Sequence, residues 1–254
     1  MSDPETARPV AWRPDPRARG STWLHSDPLP EMVGVVTYHG TEADGVDWRG
    51  SLALTTAHCT IVVVDVESFG RRSRTNPNRV RIRRGMYRAI ERAFAAAGIP
   101  WDICRHEDLG DGVLVLVPAR VSKTLFADLL LGELADELQA HNGVHPPLER
   151  IRLRLALHAG EVSYDAYGAT GSSILHAQRL LDAPELRRAL ADTKAVLAVI
   201  ASAWVFDEVI RHSERGFVDA YRCVRTEDGA AWIRLLPASA TARRRELARR
   251  RRLG

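Results

Sequence analysis

Hydrophobic and polar residues between positions 60 and 98 follow first a strand-like and then a helix-like pattern. Thr60–Val66 is a short, continuous run of apolar and β-branched residues, which is typical of a buried strand. After a polar loop, residues 79–97 place apolar side chains near helical spacing, and Gly98 follows as a stop signal. We therefore predict a buried strand followed by a helix.

The segment that follows, up to residue 157, predicts a hairpin, a second helix and a further strand. Strand-like runs at 101–107 and 113–118 flank the turn Gly110-Asp111-Gly112, and an Asp-Gly pair between such runs is a strong hairpin signal. Residues 125–138 form one apolar helical face, and 151–157 alternates apolar residues with arginine, as a half-exposed strand does. The order β-α-β-β-α-β predicts an α+β, ferredoxin-like (split βαβ) palm with both helices on one face of the sheet.

Patterns beyond residue 170 predict extra helices and strands appended to this palm. The predicted elements are helices at 172–181, from Pro184 and at 203–211, a strand at 195–201, and a closing hairpin at 218–225 and 230–235. We predict three regions along the chain. They are a partly disordered N-terminal extension over 1–55, one folded domain over 56–238, and a basic C-terminal tail over 239–254.

The basic character of the chain is concentrated in its tail. Residues 243–252 carry seven arginines and one glutamate, a net charge of +6, whereas the whole chain carries +4, so the remainder stands at −2. The tail is either a solvated end or a contact for anionic lipid or nucleic acid. The folded domain is not basic, and we expect no nucleic-acid partner for it.

Hydropathy and cysteine usage favour a cytoplasmic protein. No stretch approaches the ~20 apolar residues of a transmembrane helix, so we expect no transmembrane segment. The N-terminus also lacks the apolar core of an export signal. Cys59, Cys104 and Cys223 are odd in number, far apart and flanked by strand-like residues. We predict that they are buried free thiols in a reducing compartment.

Two aspartates occupy matched settings in these patterns. Asp65 ends the apolar run of the first strand, and Asp111 lies in the hairpin turn, so each side chain can project past a sheet edge. Carboxylates placed in this way can share one or two hard cations. A triphosphate is the ligand that best suits such cations.

Four segments resemble motifs of class III nucleotidyl cyclases, the family of adenylate and guanylate cyclases. Asp65–Gly70 resembles the strand end D-[IV]-x-x-F-[TSG], and Glu107–Gly112 resembles the hairpin [KE]-x-x-G-D. Residues 151–162, IRLRLALHAGEV, resemble "vriGiHtGev", and residues 171–180, GSSILHAQRL, resemble G-D-x-V-N-x-A-x-R-[LM]. The matches occur in the family's order and span residues 60–235. We therefore identify a divergent bacterial member of this family, with additional C-terminal strands and helices on the palm.

The resemblance implies a reaction and a metal site. A cyclase of this family is a phosphorus–oxygen lyase in which the 3′-hydroxyl of a nucleoside triphosphate attacks its own α-phosphorus and expels pyrophosphate. By resemblance, Asp65 and Asp111 share two Mg²⁺ or Mn²⁺ ions per active site, with Val66 beside them in the metal site. The backbone from Val66 through Glu67 and Ser68 to Phe69 would cradle the β- and γ-phosphates, and Gly70 would ease their approach.

The resemblance also implies a homodimer, because the family draws the metal ligands of each site from one subunit and an asparagine and an arginine from the other. Arg179 corresponds to that arginine, which stabilises charge on the transferring phosphoryl group. Arg225, on the penultimate strand, corresponds loosely to the family's phosphate-binding lysine. Both are therefore candidate catalytic residues.

The base-reading positions argue against adenine. Glu107 stands where guanine-using members have glutamate and adenine-using members have lysine, and its carboxylate can accept hydrogen bonds from guanine N–H groups. Uracil also offers an N–H donor, and pyrimidine cyclases share the scaffold, so guanylate and pyrimidine cyclase activities both remain open. Gly110, within the same motif, and Gly168, where the family has a base-reading Asp or Cys, complete the nucleotide-binding candidates together with His176.

Two departures from the family pattern leave other functions open. Leu175 replaces the expected ribose-binding asparagine, His176 and Gln178 are the candidate substitutes for it, and the stretch before that helix is short. A catalytically impaired module that binds nucleotide or dimerises as a signalling regulator is the alternative function. A dinucleotide cyclase is a third reading, disfavoured because no GG[DE][DE]F-like hairpin is present.

Overall fold

A computed structural model describes residues 55–165, 167–215 and 217–237 of the chain. The predicted extension before Thr55 and the predicted tail over 239–254 lie outside the described residues, so the domain boundaries remain predictions. In the described part, no helix has the length and apolar character needed to cross a bilayer.

The first six elements form the predicted split βαβ palm. They are β1 (Thr55–Val66), α1 (Asn76–Ala96), β2 (Arg105–Asp108), β3 (Gly112–Pro118), α2 (Leu131–Val144, preceded by a π-helical turn at Phe126–Leu130) and β4 (Leu153–Tyr164). Their strands lie in the order β2-β3-β1-β4, and every neighbouring pair is antiparallel. The predicted α+β fold class is therefore confirmed.

The remaining elements extend this sheet beyond β4. They are β5 (Ala169–Thr170), α3 (Ser172–Asp182), α4 (Pro184–Ala191), β6 (Ala195–Ser202), α5 (Ala203–Glu208), β7 (Tyr221–Thr226) and β8 (Gly229–Pro237), with short 3-10 turns at Pro147–Glu149, Ile210–His212 and Val218–Ala220. β6 runs parallel to β4, β8 and β7 follow antiparallel, and β5 pairs with the end of β4.

Side chains from the two faces of the sheet fill two separate cores. Successive residues of a strand point to opposite faces. Val62 and Val64 therefore pack with the buried faces of α1 and α2, whereas Ile61 and Val63 pack with those of α3 and α4. Because both faces are covered, β1 and β6 read as continuous apolar runs, as the sequence indicated for the first strand.

Helix α1 begins three residues before its predicted start. Thr75 caps it, since the threonine hydroxyl accepts from the Asn78 amide while the Asn78 side chain accepts from the Thr75 amide at 3.0 Å. Pro77 is in the first turn, where its missing N–H costs nothing. The apolar periodicity used for the prediction starts only after this capped turn.

Three details of the sequence prediction are wrong. β2 starts at Arg105 because the Cys104 amide donates to the Trp101 carbonyl at 3.1 Å and closes a turn. β4 is largely buried instead of half-exposed, because helices cover both of its faces. Cys223 is exposed on the edge strand β7, although Cys59 and Cys104 are buried as predicted.

Candidate active site

The β2–β3 turn carries Asp111 to the end of β1. A Cβ added at Gly112 would lie 2.0 Å from the Val64 carbonyl oxygen, so only glycine allows the hairpin to approach β1 this closely. The Val66 amide donates to the Asp111 carbonyl at 3.0 Å and joins the turn to the strand end. Asp65 pairs with Gly112 in the β1–β3 register, so the two predicted aspartates are brought to the same place.

Helix α1 holds the other side of this turn. Arg83 contacts both carboxylate oxygens of Asp108, with Nη1 to Oδ1 at 2.9 Å, and also donates to the Gly110 carbonyl. Asp108 in turn accepts from the Gly110 amide at 2.8 Å. The hydrogen bonds from Arg83 hold the pKa of Asp108 below its ordinary value, and burial raises the pKa of nearby Tyr87 to about 12. The hairpin is therefore fixed from two directions.

Asp65 and Asp111 line one cleft of about 350 Å³. Helices α3 and α4 of the same chain form its opposite wall. Besides the two aspartates, its polar lining consists of Arg154, Gln178, Asp182 and Arg187. None of these four residues was predicted to belong to the metal site, and only the β1–β4 register reveals that Arg154 faces Asp65.

Arg154 neutralises Asp65. The two residues face each other on β4 and β1, and the guanidinium contacts both carboxylate oxygens, with Nε to Oδ1 at 2.9 Å. Burial raises the pKa of the Asp65 carboxyl above its ordinary value, against the opposing effect of Arg154, and the negative charges of Asp111 and Asp182 raise it further. The Asp65 carboxylate is therefore largely shielded from solvent, and a positive partner favours its ionised form.

The donor set fits divalent cations only if a substrate completes it. Within the described ranges, no group of three or more His, Cys, Asp or Glu side chains is placed to hold a metal ion. Mg²⁺ is typically held by one or two carboxylates together with waters and substrate phosphates. Asp65 and Asp111 supply that pair, provided that a cation replaces the Arg154 guanidinium on Asp65.

The loop after β1 keeps part of its backbone free of internal hydrogen bonds. Val66 and Glu67 donate to the carbonyls of Asp111 and Arg152, and Phe69 donates to Val66 at 3.3 Å. The Ser68 and Gly70 amides have no acceptor among the described residues. Ser68 has a positive φ of 55°, an uncommon conformation for a residue other than glycine.

Side chains from outside this loop fix its shape. Arg74 donates to the Ser68 carbonyl at 3.0 Å and to the Arg150 carbonyl at 3.0 Å. The Glu67 carboxylate pairs with Arg152 at 3.1 Å, so its side chain is bound to the residue that precedes β4. The loop is consequently anchored while the Ser68 and Gly70 amides remain available.

The predicted base-reading positions Glu107 and Gly168 are neighbours. Glu107 Oε1 accepts from the Ala169 amide at 3.1 Å and from Arg105 Nε at 3.1 Å. A Cβ at Gly168, whose φ is +155°, would lie 3.2 Å from the same oxygen. The carboxylate therefore fills the space that a side chain at position 168 would need. The guanidinium of Arg105 also lies 5.3 Å from the centre of the Tyr164 ring.

A second cluster surrounds the predicted catalytic arginine. Oδ2 of Asp228, in the β7–β8 turn, accepts from Arg179 Nε at 2.7 Å and contacts His176 Nδ1 at 2.9 Å. These contacts, led by Arg179, lower the pKa of Asp228. Leu175, in the place of the expected asparagine, is 54% exposed beside them. Arg225 is exposed on β7, three strands beyond β4, so it does not join Asp65 within one chain.

The comparison with solved structures finds proteins of similar fold, whereas the sequence comparisons find no match. No protein-family model matches the chain, and no curated protein matches it. The adenylate/guanylate cyclase/hydrolase from Silicibacter pomeroyi matches with a TM-score of 0.50 at 18% identity, over 72% of this chain and 99% of that one. A bacterial light-regulated adenylyl cyclase matches with a TM-score of 0.51 at 12% identity over 80% of this chain, which spans only 59% of that longer protein.

A third match is a double mutant of the guanylyl cyclase domain of the RhoGC fusion protein from the aquatic fungus Blastocladiella emersonii. Its TM-score is 0.50 at 12% identity, over 72% of this chain and 97% of that one. At such low identities these likenesses concern the fold alone. The described domain therefore has the fold of class III adenylate and guanylate cyclase catalytic domains.

Proposed function

We propose that the protein is a metal-dependent nucleotidyl cyclase that converts a nucleoside triphosphate into a 3′,5′-cyclic nucleotide and pyrophosphate. The observation that carries this proposal is the single cleft lined by both Asp65 and Asp111 on a cyclase fold. Two strand-end carboxylates at one cleft match the needs of a triphosphate bound with divalent ions.

Asp65 and Asp111 would hold the two ions, Mg²⁺ or Mn²⁺. When bound, these ions would lower the pKa of the 3′-hydroxyl and offset charge on the leaving phosphates. Arg154 would release Asp65 as the cations arrive, and its guanidinium would then be free to meet the incoming phosphates. The amides of Ser68 and Gly70, which have no acceptor among the described residues, are suited to donate hydrogen bonds to phosphate oxygens.

The cluster of Arg179, His176 and Asp228 is suited to stabilise charge on the phosphoryl group in a symmetric homodimer. Arg179 is held by Asp228 and does not line the cleft of its own chain. In a dimer arranged as in the cyclase family, the Arg179 and Arg225 side of one subunit would meet the aspartates of the other. Each of the two sites would then need both chains.

Glu107 is suited to select the base. Arg105 and the Ala169 amide fix its carboxylate, and Oε2 has no partner among the described residues. An acceptor in this position favours a base that presents a ring N–H, which guanine and uracil have and adenine lacks. Guanylate or uridylate cyclase activity is therefore the expected specificity.

Incubation with each of the four triphosphates and Mn²⁺, followed by mass spectrometry, tests the activity. We expect a cyclic product and pyrophosphate from GTP or UTP, and loss of at least about 100-fold in rate for Asp111→Asn. Asp111 makes no ion pair within 4.0 Å among the described residues, so this substitution leaves no charge without its partner. Absence of product from all four substrates would refute the proposal.

Mixing two inactive variants tests the shared site. Asp111→Asn and Arg179→Ala each damage a different half, so mixed dimers regain one intact site out of two. An equimolar mixture should recover about a quarter of the wild-type activity if chains exchange at random. No recovery, despite demonstrated subunit exchange, would place both residues in the same site of one chain.

A further inference from the structure

Helix α4 carries Arg187, a cationic side chain, on the wall of the Asp65 cleft that lies opposite β1. The helix follows α3 after one residue, Ala183, which ends α3 and begins α4. Leu186 and Leu190 of α4 are fully buried against the sheet, so the orientation of the helix is fixed by its apolar face. Arg187, next to Leu186, lines the cleft.

The Arg187 guanidinium can leave its ion pair with Asp182 at a small cost in stability. Asp65 is matched by Arg154, and Asp182 is matched by Arg187. The two pairs differ in exposure: the Asp65 and Arg154 side chains are each 14% exposed, whereas those of Arg187 and Asp182 are 54% and 68% exposed. An ion pair as exposed as the second contributes little to stability, so its guanidinium can turn to another anion.

We propose that Arg187 is a phosphate-binding residue of the cleft, supplied by the same chain as Asp65 and Asp111. This inference rests on the proposed function, because it makes the triphosphate the anion. A guanidinium matches a phosphate group with two parallel N–H···O bonds, which an ammonium cannot do. Asp182, which Arg187 contacts and which lines the same cleft, is the partner that a phosphate would replace.

The adjacent arginine provides a matched control. Arg188 lies on the same helix and donates to Pro184 O at 3.2 Å and to Glu185 at 3.1 Å, so its guanidinium is bound within α4. It does not line the cleft. Replacing either arginine removes one positive charge from the same eight-residue helix, and only Arg187→Ala removes it from the cleft.

Binding of inorganic tripolyphosphate to the full chain, measured by calorimetry with and without Mn²⁺, tests this inference. We expect Arg187→Ala to weaken tripolyphosphate binding about 10-fold or more, and Arg187→Lys to restore part of it. Arg188→Ala should stay within about 2-fold of the wild type, and thermal unfolding should show that all three variants are folded.

Outcomes of this experiment separate the inference from the proposed function. Equal binding by Arg187→Ala and wild type, equal weakening by Arg188→Ala, or no binding by the wild type would each overturn the role of Arg187. If Arg187→Ala loses tripolyphosphate while no nucleotide is cyclised by the wild type, the inference stands and the cyclase proposal fails. If Arg187→Ala forms a cyclic product with an unchanged KM, the cyclase proposal stands and the role of Arg187 fails.

Discussion

Arg154 and Asp65 face each other across neighbouring antiparallel strands, and one guanidinium contacts both oxygens of the carboxylate. The pair is partly withdrawn from water, with 14% of each side chain exposed. A divalent cation bound to Asp65 would have to compete with Arg154 for the same two oxygens. Under the proposed function, loading of the site would therefore be linked to the stability of the β1–β4 pair.

Removal of the Asp65 carboxylate should destabilise the fold. Asp65→Ala leaves the Arg154 guanidinium without its partner in a largely buried position, and we expect a loss of about 3 kcal/mol in the free energy of unfolding. The double variant Asp65→Ala/Arg154→Leu should regain part of that loss. Urea unfolding measures both. A single variant as stable as the wild type would contradict this account, and Asp207→Ala, which breaks an exposed pair with Arg211, is the control.

Removal of Arg179 should slow the reaction with little effect on folding. Its side chain is 53% exposed, so Arg179→Ala should leave the free energy of unfolding almost unchanged. If it stabilises the transition state, kcat should fall by about 10²–10³-fold while KM changes little. The control is Arg211→Ala, an arginine that is 54% exposed and also ion-paired, for which steady-state kinetics should show no change.

A methyl group at position 112 should disrupt the junction of the two aspartates. The Cβ of Gly112→Ala would lie 2.0 Å from the Val64 carbonyl, so the hairpin must move away from β1. We expect a destabilisation of about 3 kcal/mol or more, measured by chemical denaturation. Gly70→Ala is the control, because nothing lies within 4 Å of its Cβ, and its stability should match the wild type within about 1 kcal/mol.

Truncation of Glu107 should reduce discrimination between bases. Glu107→Ala removes the fixed acceptor, and the ratio of kcat/KM between the preferred triphosphate and ATP should fall about 10-fold. The variant should still bind tripolyphosphate, because Glu107 is not part of the cleft lining. An unchanged base preference would show that the base is read elsewhere.

His158 should make the protein less stable in mild acid. Its Nδ1 lies 2.8 Å from Ser202 Oγ, and burial, with smaller effects from His176 and His58, lowers its pKa from 6.5 to about 4. Between these two pH values His158 is protonated in the unfolded chain and neutral in the folded chain. The stability that depends on a neutral His158 is therefore fully present above pH 6.5 and is lost as the pH falls towards 4.

The size of this effect can be measured directly. We expect His158 to account for about 2 kcal/mol of the stability lost between pH 7 and pH 4.5, after allowance for its partial exposure. Unfolding of His158→Gln at both pH values should show a correspondingly smaller loss. A loss equal to that of the wild type would assign the acid sensitivity to other groups.

The strands and helices of the palm were predictable because their signals are local. The apolar run of β1, the Asp-Gly turn and the apolar faces of α1 and α2 each depend on residues close together in the sequence. Ion pairs across the sheet are different: Arg154 is 89 positions from Asp65, and only the β1–β4 register brings them together. The same applies to Asp228, which reaches Arg179 through the β7–β8 turn, 49 positions away.

The site was predictable as far as motifs could be matched. Asp65, Asp111, Glu107 and Gly168 were chosen from short patterns, and the first two share a cleft while the last two are in contact. Arg187 belongs to no such pattern. Arg187 reaches the cleft because the leucines of α4 pack on the sheet. This tertiary packing cannot be deduced from the spacing of residues in the sequence.

Gly112 packs directly on the backbone of β1, so main-chain pairing sets how far the backbones of Asp65 and Asp111 lie from each other. The opposite wall is built differently, from two helices that meet at one residue, Ala183. A small rotation of α4 about this corner would therefore move Arg187 relative to the two aspartates without breaking a strand pair.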